Sequence, residues 1–518
     1  MSPENMAAAT VQFEGTLVSN LRNLGADHPQ TLAARDMLAR CYRVAGRFEE
    51  AVGLHEENLP ARQRVLGPDH PDTLMSGNEL ARTYRLAGRH RDAIGLHERV
   101  LASQQRVLGP DHPDTLISRA NLASAWESAG RTDRALPLYE EAVAGQERVL
   151  GPDHPDTLGS RNNLASAYRS AGRLSDAVAL HQRNLADRER VLGRGNLSTI
   201  SARNALASSL AAAGRISEAL PLYERTLADR ERVLGPDHLD TLISRNNLAA
   251  ACHQAGRFRD ALALHEPNLA AARRVLGADH PETLRFANNL ASTLEAAGQR
   301  HEAIPLYQQN LASRQRVLGD DHPDTIASRN NLAAAYERTG KLTEAISNYE
   351  QVLTASEHLL GPDHPATLTS MNNLANAFDS SGRHTEGISL HERVLASQER
   401  VLGIDHPSTL ASRLNLGISY HLAKRPADAL RLCERSLADL DRVLGPDHPT
   451  SLTAQSNLAG LYASSGRMDD SIELYEHALA GRERVLGADH PDTRASRQAL
   501  ARARAHPRAR ARPWKRSR

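Results

Sequence analysis

The chain has 518 residues, a net charge of +1 at pH 7 and only 3% Phe, Trp and Tyr, with Leu and Ala carrying the apolar load. That composition argues against a β-sandwich or barrel, whose pleated faces are filled by β-branched and aromatic side chains, and suits close helix packing. No 18-residue apolar span and no basic start followed by an apolar run occurs, and Cys41, Cys252 and Cys433 form no C-x-x-C; a membrane helix, a secretory leader, a zinc site and a disulfide framework are therefore not indicated, and a reducing cytoplasm fits.

Residues 1–10 form a short polar and Ala-rich lead, expected to be flexible. Residues 11–24 align with the second half of the unit that follows, so the array opens on half a repeat, either as an N-terminal cap or because an upstream portion is missing. From Gly25 to Gly487 a marker glycine returns every 42 residues without exception, which makes eleven complete units over 25–486. A spacing this strict is the signature of a stacked array, in which each unit buries its apolar face against its neighbours.

One unit stands for all. After Gly151, Asp153-His154-Pro155 announces a helix: Asp or His can cap it, and a proline at the first helical position loses no hydrogen bond. Leu158, Leu164, Ala165, Tyr168 and Ala171 follow at helical spacings, and Gly172-Arg173 stops the helix. A second helix is expected from about Ser175 to Leu192, opening on a small residue, Ala177, that lets the two helices approach closely. Twelve loop glycines predict twelve first and twelve second helices, counting half units. The pattern breaks at Gly193–Thr199, where Asp-His-Pro is gone, at Leu239, which replaces a proline, and at Lys424-Arg425-Pro426, where the turn glycine is missing.

Beyond Gly487 one more first helix can form over 487–505, and 506–518 reads as a basic, low-complexity tail without structure. Residues 494–518 hold ten basic side chains and no acidic one, which leaves residues 1–493 nine charges negative. Lysine occurs only at Lys341, Lys424 and Lys515; with abundant Ala, the dominance of Arg points to a GC-rich bacterial gene.

The stretch Asn162-Asn163-Leu164-Ala165, with Gly172, Ala177 and the Val191-Leu192-Gly193 that precedes each loop, resembles the tetratricopeptide repeat. That family's usual period is about 34 residues, whereas about 40–47 is typical of HEAT and armadillo units. The internal pattern favours the former, and specifically the 42-residue variant found in kinesin light chains and their bacterial relatives. The likeness covers about residues 11–505. It implies an all-α, right-handed superhelical solenoid of helix-turn-helix repeats whose first helices line a concave groove that binds a peptide or protein segment. The heptad-rich segment by which kinesin light chains join their motor is missing, so a motor role is not implied.

Within that groove the resemblance singles out the asparagine pairs Asn162-Asn163, Asn246-Asn247, Asn288-Asn289, Asn330-Asn331 and Asn372-Asn373. An amide side chain offers two donors and an acceptor, which matches an extended peptide main chain. The alternative is that these residues bond to the neighbouring repeat's backbone and fix the stacking. Further along the same helices Glu295, Glu337 and Asp379 would make the groove mildly acidic and favour a basic or polar ligand, with Arg338 and Arg383 diluting the effect. A solvated helix face is the other reading. The second helices carry His55, His97, His181, His265 and His391 alternating with Tyr139, Tyr223, Tyr307, Tyr349 and Tyr475 at one position, read as a half-buried packing site.

One Asp-His pair per repeat cannot converge on a metal, because neighbouring helices lie about 8–10 Å apart and zinc needs ligands at about 2.0–2.3 Å. Phosphate-loop, nucleophile-elbow and metalloprotease motifs are absent. The expectation is a non-enzymatic scaffold for a protein or peptide ligand, with no cofactor or small-molecule substrate. Nucleic acid or an anionic surface would be met only through the tail. The other reading is the repeat portion of a bacterial signalling NTPase whose nucleotide-binding domain is missing or separate.

Overall fold

The protein is described by a computed structural model over residues 3–488 and 490–506. Twenty-four α-helices and no strand are found among the described residues, as the twelve loop glycines predict. The chain divides into two compact units, Met1–Ala271 and Ala272–Arg518. Each is a stack of helix hairpins in which consecutive helices pack side by side. Asp489 and the tail beyond His506 lie outside the described residues. The opening helix runs Pro3–Leu24, so the lead expected to be flexible is helical from residue 3 onward. Ala7-Ala8-Ala9 is strongly helix-forming and no glycine or proline separates it from the half repeat.

The local chemistry explains the regularity. In the helix Pro155–Ser170 the cap is His154, whose Nδ1 accepts from the Asp156 N–H at 3.3 Å. Asp153 is not the cap; it accepts from Arg190 at 2.5 Å, a contact that ties the end of one second helix to the loop where its own repeat began. Gly172 takes φ +75°, and the Arg173 N–H reaches back to the Tyr168 carbonyl at 2.9 Å, closing the helix end. The Arg173 guanidinium then lies 4.1 Å above the Tyr168 ring and donates to Asp176 at 2.7 Å. The second helix, Leu174–Leu192, follows directly, one residue earlier than expected.

Ala177 and its counterparts have no exposed surface. Buried asparagines of the second helices lock some of the hairpins: Asn310 Nδ2 donates to the Leu284 carbonyl at 2.7 Å and Asn268 Nδ2 to that of Leu242 at 3.1 Å.

The three breaks are absorbed locally. Asn196 replaces the capping histidine, its Oδ1 accepting from the Ser198 N–H at 2.8 Å, so the helix Leu197–Ala212 starts in register. His238 still caps the helix that opens on Leu239. Lys424 adopts φ +59° where the other turns use glycine.

The position shared by histidine and tyrosine differs from expectation. It is fully buried, from His391 at 0% to Tyr223 at 5% exposure, with only Tyr475 half-buried. Some of the polar tips find hydrogen-bond partners inside: Tyr139 donates to Glu127 at 3.1 Å, and His97 Nδ1 lies 3.1 Å from Asn78 Oδ1, whereas neither ring nitrogen of His55 or His265 has one among the described residues.

Candidate functional site

The first helices Pro281–Ala296, Pro323–Arg338 and Pro365–Ser380 lie in successive repeats of the second unit and build one wall. Their asparagines form rungs between repeats. Asn331 Nδ2 donates to Asn288 Oδ1 at 2.9 Å, and Asn373 Nδ2 donates to Asn330 Oδ1 at 3.0 Å. The second residue of one pair thus reaches back to the first residue of the preceding pair. In the first unit Asn247 reaches Asn204 in the same way at 3.2 Å. These contacts join side chain to side chain rather than side chain to neighbouring backbone.

Asn288, Asn330, Asn331 and Asn373 border a recess of about 490 Å³ together with Glu295 and Glu337. The other expected site residues are placed differently. Asn246 is buried at 1% exposure, which withdraws it from any ligand. Asn372 turns to His391, its Oδ1 3.0 Å from the ring Nδ1. Asn162 and Asn289 are half-buried, and Asn163 is exposed in the first unit.

The charges are not equivalent. Arg338 Nη1 donates to Glu295 at 2.7 Å, so Glu295 is partly neutralised. Glu337 accepts from the Tyr349 hydroxyl and from the Ser380 hydroxyl, each at 3.2 Å, and forms no ion pair among the described residues. Burial and then Glu337 push the Tyr349 phenol well above its usual pKa, and burial with Glu295 pushes Tyr307 up to about 12, so both stay neutral donors. Arg383 does not dilute the wall: it stacks on Phe378 and pairs with Glu386.

Asp379 is set back from the other two acids. It is 9% exposed, receives the Ser419 hydroxyl and lies 3.2 Å from His384 Nδ1. It borders a separate recess of about 450 Å³ with Asn376 and Asn415. A Cβ on Gly387 would fall 2.7 Å from Asp379 Oδ1, which explains glycine where the other repeats have alanine or, at Ser471, serine.

The tyrosines behind the wall were not legible as site residues. A signal exists in the sequence, twelve residues apart: Glu127 with Tyr139, Glu295 with Tyr307 and Glu337 with Tyr349, against Arg43 with His55, Arg85 with His97 and Arg169 with His181. Among the described residues no group of three or more His, Cys, Asp or Glu could hold a metal ion. No helix among them is long and apolar enough to cross a membrane.

A family model described as tetratricopeptide repeat matches residues 33–106, 78–148, 127–190, 197–266, 256–309, 284–358, 330–386, 379–442 and 450–507. Solved structures similar to the chain include a putative kinesin light chain with nearly identical repeats from Podosopora anserina. That protein is 34% identical over 40% of this chain and 97% of its own, with a TM-score of 0.35. A point variant of it is 33% identical over 40% and 98%, with a TM-score of 0.36. BtubC (BKLC) from P. vanneervenii is 19% identical over 45% of this chain and 94% of its own, with a TM-score of 0.39. No curated protein matches the chain.

Proposed function

Since the chain belongs to the tetratricopeptide repeat family, whose arrays are typically protein-interaction scaffolds, we propose that it is a non-enzymatic scaffold and that the recess in its second unit holds an extended protein segment. The observation that carries this reading is the run of asparagine rungs along one wall. Each rung spends one N–H of one amide and one lone pair of the other. The remaining N–H of each donor amide, and its own carbonyl oxygen, can serve a peptide main chain. A wall already fixed by its rungs carries little ordering cost on binding. Glu337, which forms no ion pair among the described residues, favours a segment bearing Lys or Arg. The free, buried thiols of Cys41, Cys252 and Cys433 fit a reducing cytoplasm.

The test is the affinity of a fluorescein-labelled hexa-arginine peptide for the full chain. Replacing Asn331 and Asn373 together with Ala should weaken it at least tenfold and leave helicity unchanged. Asn372 serves as the internal comparison: since it faces His391, Asn372→Ala alone should leave binding unchanged. Collapse of the thermal transition in the double variant would assign these residues to stacking instead. Unchanged affinity with the fold intact would refute the groove reading.

A further inference from the structure

The recess of the second unit has a counterpart in the first. Asn121, Glu127, Tyr139 and Asn163 border a cavity of about 380 Å³, and each stands five 42-residue periods before Asn331, Glu337, Tyr349 and Asn373. The backs of the two recesses match: Tyr139 donates to Glu127 at 3.1 Å, as Tyr349 donates to Glu337 at 3.2 Å. The fronts do not. Arg82 and Arg85 occupy the positions of Ser292 and Glu295. Buried His97 replaces Tyr307 and, with its pKa lowered to about 4 chiefly by burial, is neutral at pH 7. The first recess therefore sets two arginines against one carboxylate, and the second sets two carboxylates against Arg338.

Arg85 is the informative residue. It is half-buried and forms no ion pair with any described residue; its Nη1 donates only to Ser128 Oγ at 3.3 Å. Its counterpart Glu295 has Arg338. Arg82 has Glu79 at 4.0 Å, but Glu79 also faces Arg43 at 3.5 Å. Burial first, and then Arg82, hold Arg85 below the usual arginine pKa. A carboxylate seated between the two guanidiniums would offset both penalties.

We propose that the recess of the first unit binds an acidic protein segment, Arg82 and Arg85 taking its carboxylate and Asn121 and Asn163 its main-chain amides. The scaffold then carries two homologous sites with opposite charge preference. This rests on the first unit alone and survives if the second recess binds nothing.

The experiment measures binding of fluorescein-labelled hexaglutamate to the full chain at low salt, with hexa-arginine in parallel. Arg85→Gln should weaken hexaglutamate at least tenfold, and Arg85→Lys should recover most of it. Arg82→Ser with Arg85→Glu, which writes the second recess into the first, should abolish hexaglutamate binding at this site and leave hexa-arginine unchanged or tighter. The basic tail contributes equally to every protein in the series, so the differences report the recess. Equal hexaglutamate affinity for the wild type and Arg85→Gln would overturn the proposal, as would no binding by the wild type. Should the double variant lose helicity, the Gln and Lys variants decide.

Discussion

Single residues show which rules of the pattern are strict. Lys424 occupies a left-handed turn position that glycine fills elsewhere, a conformation that costs an ordinary side chain roughly 1–2 kcal/mol. Lys424→Gly should therefore stabilise the chain, by about 1 kcal/mol after allowing for the greater freedom of glycine when unfolded, seen as a higher denaturant midpoint. Gly387 is the reverse case, because its bare Cα makes room for Asp379. Gly387→Ala should cost about 1–3 kcal/mol, and Asp379→Ala in the same chain should recover most of it, a coupling that a double-mutant cycle measures. The turn glycines were readable because positive φ excludes most other residues. Asp379 differs from Glu295 and Glu337 in turning inward, and nothing in its local sequence reports that turn.

The buried histidines add a pH dependence at the same scale. Burial depresses His97, His181 and His265 from 6.5 to about 4. The unfolded chain takes up these protons first, so stability is full above about pH 6.5 and falls as pH drops toward 4. Each histidine contributes about 1.4 kcal/mol per pH unit in that window. The denaturant midpoint should fall between pH 6.5 and 5, and His97→Gln should remove about a third of these three residues' contribution to the slope. A midpoint flat across that range would show the three are protonated without penalty.

Among elements, the cap sets the register of every first helix, and it tolerates exchange of one acceptor for another. Asn196 does with an amide oxygen what histidine does with a ring nitrogen elsewhere. Asn196→His should be nearly neutral, whereas Asn196→Ala should cost about 1 kcal/mol, measured by thermal or denaturant unfolding. Helix number and nearly every boundary were legible, because Pro, Gly and the apolar spacing agree in each unit. The rungs were not. Asn331 meets Asn288 one residue beyond a full period, and a pattern that repeats every 42 residues cannot show which of two adjacent asparagines reaches across. The burial of Asn246 escaped for a related reason: its identity matches its siblings and only its neighbours differ.

On the scale of the whole molecule, each unit is held by contacts within a repeat or to the next one. Arg106 with Asp69, Arg148 with Asp111 and Arg316 with Asp279 are exposed copies of one pair, 37 residues apart. Exposed pairs like these stabilise little, so the stack depends on buried helix contacts and not on its surface charges. The two recesses show what repetition leaves free. The Glu-Tyr pairs Glu127-Tyr139 and Glu337-Tyr349 are kept, while Arg82, Arg85 and His97 stand where Ser292, Glu295 and Tyr307 stand in the second unit.

The unbroken 42-residue interval makes the chain editable in whole steps. Excising residues 445–486 would splice Leu444 onto Gly487, a junction chemically the same as the one removed. The shortened protein should fold, lose helical signal in proportion to its length, and grip hexa-arginine as before. Cutting out 40 residues in place of 42 should instead strand the terminal helix out of phase. Such a gene can lengthen or shorten by unequal recombination between its own near-copies and still encode a working protein.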